Sequence, residues 1–129
     1  MLRIVVAELG TDGRDVGAAP LARVLRDAGH EVVYTGPART AEQLAATSIQ
    51  EDADAVCVCF SAGAELTLFG RLSELLRQHG AEDITVLGSG AVPDEKLPAL
   101  VGVDVVKIFG PGTTPAGIAT WVTEHLTDD

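Results

Sequence analysis

The chain has 129 residues, 47% of them hydrophobic and 22% charged, with a formal net charge of −10. That length suits one domain with a proper core and is too short for two. The acidity excludes nucleic acid and anionic membrane surfaces as partners, since both require a basic patch.

Five β-rich runs alternate with five helical patterns. Leu2–Glu8 is predicted as the first strand and Ala18–Ala28 as the first helix, with Pro20 tolerated in its opening turn and Gly29 as its stop. Glu31–Thr35 follows as a strand. Thr40 is placed to cap a helix that runs to Gln50, with Gln43 three residues on as in a capping box. Ala55–Phe60 (AVCVCF) is a continuous apolar run, the pattern of a parallel strand covered on both faces. Ala64–Gln78 carries Leu66, Phe69, Leu72, Leu75 and Leu76 at helical spacing. Ile84–Leu87 is a strand, Asp94–Leu100 a short helix, Val103–Ile108 a strand, and Thr114–Leu126 the last helix.

Regular βα alternation implies parallel strands joined by right-handed crossovers. The expected fold is α/β and flavodoxin-like: a five-stranded parallel sheet in the order 2-1-3-4-5 with helices on both faces. Ligands of such sheets bind beyond the carboxyl ends of the strands, near the switch between the first and third. The loops that matter are therefore Gly10–Gly17, Cys59–Gly63, Gly88–Pro93 and Phe109–Thr113, and glycine is concentrated in them. Tight βα turns need glycine in any case, so no single one identifies a ligand.

Several activities of this architecture fail on inspection. A receiver domain ends its third strand on an aspartate that accepts phosphate, whereas this strand ends Cys59-Phe60-Ser61. There is no G-x-x-x-x-G-K-[ST] loop and no G-x-G-x-x-G opening the first helix. Ser61 is not in a G-x-S-x-G elbow. The chain is not expected to be catalytic alone. Cys57 and Cys59 share one apolar strand, a spacing poorly suited to a disulfide, and no further cluster completes a zinc site. Buried thiols are expected. No apolar run approaches the roughly 20 residues that span a bilayer. Met1-Leu2-Arg3 leads directly into a strand without signal-peptide regions, so a cytoplasmic location is expected.

Asp12-Gly13-Arg14-Asp15-Val16-Gly17 resembles the Asp-x-His-x-x-Gly loop of cobalamin-dependent enzymes at every motif position but one, where Arg14 stands for histidine. The resemblance covers essentially the whole chain, 1–129, as a single cobalamin-binding-like domain. It extends through VVAELGTDGRDVGA, EVVYTGPARTAEQLAATSIQEDADAV, VLGSGAVPDEKLPAL and KIFGPGTTPAGIATWV. The sequence is most similar to the small cobalamin subunit of acyl-CoA mutases, the isobutyryl-CoA and methylmalonyl-CoA mutase group.

In that family the loop histidine displaces the nucleotide base of cobalamin and ligates cobalt, and an aspartate orients the ring. The resemblance makes Asp12 the orienter, puts Arg14 at the ligand position beside Gly13 and Asp15, and lets Gly17 make room for the displaced tail. That tail runs into a slot beside the third and fourth strands. The family's Ser-x-Leu segment falls there on Cys59-Phe60-Ser61, and its Gly-Gly pair on Ser89-Gly90. Phe109, Gly110, Gly112 and Thr113 complete the cofactor-binding set. Arginine has no lone pair to offer a metal, and an inward Phe60 ring would fill volume that a tail needs. Strand alternation leaves the direction of Phe60 open. His30 and His79 follow helices and His125 is in the last one, so none is placed to substitute for the missing histidine.

Two functions follow from the resemblance. The first is the cobalamin-binding small subunit of an adenosylcobalamin-dependent acyl-CoA mutase, working with a separate large subunit that holds a substrate-binding (β/α)₈ barrel. A barrel of about 250 residues does not fit in this chain. The second is a degenerate domain that no longer binds the cofactor and serves as a structural or regulatory partner.

Overall fold

The computed structural model describes residues 1–9, 18–37, 40–60, 67–90, 92, 95, 105–110 and 112–126. Five strands form one sheet: β1 (Arg3–Leu9), β2 (Glu31–Pro37), β3 (Ala55–Phe60), β4 (Thr85–Ser89) and β5 (Val105–Phe109). All pairings are parallel and the order is β2-β1-β3-β4-β5, as the alternation of elements implies. The helices among the described residues are α1 (Ala18–Asp27), α2 (Ala41–Gln50), α3 (Thr67–Gln78) and α4 (Pro115–Leu126). The short helix expected over Asp94–Leu100 lies, apart from Glu95, outside the described residues.

Side-chain alternation splits the core into two layers. Val5, Ala7, Val56, Val58, Phe60 and Val86 face α2 and α3. Ile4, Val6, Cys57, Cys59, Leu87 and Phe109 face α1 and α4. Every residue of β3 is buried, because that strand lies at the centre of the sheet with helices over both faces.

Helix ends follow local rules. Pro20 falls in the first turn of α1, where its missing N–H costs nothing. The Thr40 side chain accepts the Gln43 N–H at 3.0 Å and caps α2. Pro115 opens α4 behind Thr114, whose hydroxyl accepts the Gly117 N–H at 3.0 Å. The carboxyl ends of α1 and α3 close in the same way, through Gly29 N–H to Arg26 and His30 N–H to Leu25, and through Gly80 N–H to Arg77 and Ala81 N–H to Leu76. Both glycines are left-handed, at φ 96° and 71°.

Because helices run antiparallel to the strands, these helix ends bring the chain back to the amino edge of the sheet. That edge is tied by side chains. Arg3 Nε donates to Glu31 Oε2 at 2.8 Å and its Nη1 to the Glu51 carbonyl at 2.8 Å. Asp54 Oδ2 accepts the Arg3 N–H at 2.8 Å. The carboxyl edge is thereby left for other uses.

Candidate ligand site at the carboxyl edge of the sheet

Strand register brings residues from four strands into one row across the carboxyl edge: Glu8 beside Cys59, Cys59 beside Ser89, and Ser89 beside Phe109. Alternation puts the row on the side of α1 and α4, where Cys59 and Phe109 are buried at 1% and 4% exposure and Ser89 is half-buried. The Phe109 ring stands edge-on to Trp121 of α4, 5.5 Å between centroids. Beyond β5, Gly110, Gly112 and Thr113 are exposed, and the Thr113 N–H donates to the Gly110 carbonyl at 3.0 Å to form the turn into α4. A Cβ built on Gly110 or Gly112 meets nothing within 4 Å, so a ligand can approach the backbone closely there.

Cys59, Ser89, Gly90, Phe109, Gly110, Gly112 and Thr113 are thus brought to one edge, as the sequence reading requires. Asp12, Gly13, Arg14, Asp15, Gly17 and Ser61 lie outside the described residues. Phe60 faces the other side of the sheet. Its ring is buried among the α2 and α3 core residues and meets Phe69 edge-on at 5.6 Å. It also covers Gly90, where a Cβ would lie 2.6 Å from Phe60 Cδ2 and 2.5 Å from its carbonyl oxygen. One part of the glycine pattern at 88–90 is therefore explained by aromatic packing.

A carboxylate at this edge escaped the sequence reading. Glu8 ends the apolar run of β1 and accepts a hydrogen bond from the exposed Tyr34 hydroxyl on β2. The signal was present as a charged residue directly after the apolar run Ile4–Ala7, but the partner depends on the β1–β2 register. Both cysteines are free and buried. The neighbouring Cys59 thiol and burial together push the Cys57 thiol well above its ordinary range, which keeps it protonated and unreactive. Among the described residues, no group of three or more His, Cys, Asp or Glu could hold a metal ion. No helix among them is long and apolar enough to cross a membrane.

Residues 2–119 match the B12 binding domain family. The chain belongs to that family. Among curated relatives, it is 39% identical over 117 residues to the 2-hydroxyisobutanoyl-CoA mutase small subunit of Aquincola tertiaricarbonis, covering 91% of this chain and 86% of that one. It is 34% identical over 122 residues to the pivalyl-CoA mutase small subunit of Xanthobacter autotrophicus, covering 95% and 82%. The methylmalonyl-CoA mutase of Rhizobium meliloti is 36% identical over 111 residues, which make up 86% of this chain but 16% of that protein. Among solved structures, a cobalamin-binding protein from Desulfitobacterium hafniense superposes with a TM-score of 0.77 at 17% identity, covering 98% of this chain and 59% of that one. A response regulator from Burkholderia multivorans superposes at 0.68 with 20% identity, over 100% and 98%. Likenesses at that identity establish the shared fold. The B12-binding assignment rests on the sequence matches.

Proposed function

We propose that this chain, acting as one domain over residues 1–129, is the cobalamin-carrying small subunit of an adenosylcobalamin-dependent acyl-CoA mutase. The observation that carries this reading is the alignment along nearly the whole length of both partners with two mutase small subunits. The rearranging acyl-CoA is held by a separate large subunit with a (β/α)₈ barrel. When bound, the cofactor supplies radical chemistry through homolysis of its cobalt–carbon bond, and the hard chemistry is the cofactor's own.

The chain's residues bind and orient. Exposed backbone at Gly110 and Gly112 and the half-buried Ser89 and Gly90 would hold the cofactor at this edge. Cys59 and Phe109 back that surface from within the core, and Trp121 holds the Phe109 ring in place. The family motif assigns cofactor contact to Asp12, Gly13, Arg14, Asp15, Gly17 and Ser61 as well. The Tyr34–Glu8 pair adds a fixed acceptor beside it, suited to the amide groups that rim a corrin.

Titration calorimetry with adenosylcobalamin, in the absence and presence of a mutase large subunit, tests the reading. Weak binding by the chain alone, strengthened by the large subunit together with acyl-CoA isomerisation, is the expected result. A folded chain that docks on the large subunit but takes up no cobalamin and supports no isomerisation would instead be a scaffold.

A further inference from the structure

We draw no further inference here: the strongest candidate, the apolar groove of about 330 Å³ between α2 and α3, lined by Ala45, Ala46, Ile49 and Leu75 with Glu42 and His79 at its rim, is an unpartnered helix face, and nothing in the structure shows what covers it.

Discussion

A Cβ on Gly88 would lie 2.6 Å from Ile108 Cδ1 and 2.9 Å from Phe69 Cζ, so this strand position is glycine because the Ile108 side chain and the Phe69 ring close over it. Phe69 is fully buried, and its edge-on partner Phe60 occupies the corresponding place above Gly90. Two rings on the α3 side thus fill what side chains at 88 and 90 would otherwise occupy. Gly88→Ala is expected to lower stability by about 1–2 kcal/mol, overpacking outweighing the small gain in strand propensity. Phe69→Leu removes the Cζ and Cε1 atoms that crowd the new methyl from the α3 side, so the double variant should be less destabilised than the sum of the single ones by about 1 kcal/mol. Urea unfolding of all four proteins measures this coupling, and strictly additive costs would show that Phe69 does not dictate the glycine. In the sequence, Gly88-Ser89-Gly90 reads as a ligand loop. The aromatic explanation was hidden because it requires knowing that β3 lies beside β4 and that Phe60 and Cys59 point to opposite faces.

Three helices close with the same pair of backbone hydrogen bonds, but only two of them use glycine at the left-handed position. After α2 the residue is Asp52, at φ 52°, with its N–H donating to the Ile49 carbonyl at 3.0 Å and the Ala53 N–H to the Ser48 carbonyl at 3.0 Å. A side chain in that conformation is strained, and aspartate is among the residues that tolerate it best. Asp52→Gly should therefore raise stability by about 0.5–1 kcal/mol, read as a higher thermal midpoint, and a lower midpoint would mean that the carboxylate makes a compensating contact. The helix stops at Gly29 and Gly80 were legible in the sequence, whereas the stop at Asp52 was not, because its chemistry is that of the backbone. Strand limits show the same division. The apolar run of β3 marks its six residues, Ala55–Phe60, without error. For β4 the expected Ile84–Leu87 becomes Thr85–Ser89: the Ile84 N–H is used in a turn to Ala81, and Gly88 and Ser89, poor strand formers, are held by ladders on both sides. β2 continues to Pro37, which an edge strand permits. Likewise, the placement of Ser89, Gly90, Phe109, Gly110, Gly112 and Thr113 at the carboxyl edge was readable from the element order, but the row Glu8–Cys59–Ser89–Phe109 needed the register.

Across the whole molecule the two edges of the sheet differ, with exposed glycine backbone at the carboxyl edge and side-chain cross-links at the amino edge. His30 is the most buried of those links, at 7% exposure, and it joins three elements. Its own N–H donates to Leu25 at the end of α1, its Nδ1 accepts the Leu2 N–H at the entry to β1, and its Nε2 reaches Thr123 on α4. Because Nδ1 is the acceptor, the proton of the neutral ring is on Nε2 and is donated to the threonine hydroxyl. A second proton would have to sit on Nδ1, facing the Leu2 N–H. Burial, together with the nearby terminal ammonium, lowers the folded-state pKa of His30 below its ordinary value. The unfolded chain then takes up this proton first as the pH falls. The contribution of His30 to stability is thus fully present above about pH 6.5 and is lost as the pH falls through and below that value. His30→Asn preserves an acceptor for Leu2 but cannot titrate or reach Thr123, so it should cost about 1 kcal/mol at pH 8. The cost should shrink between pH 7.5 and 5.5, as the wild-type protein weakens and the variant does not. Urea unfolding of both proteins across that range gives the comparison. Parallel pH curves for the two would show that the imidazole titrates alike in the folded and unfolded chains, and that the amino edge owes its pH response to other groups.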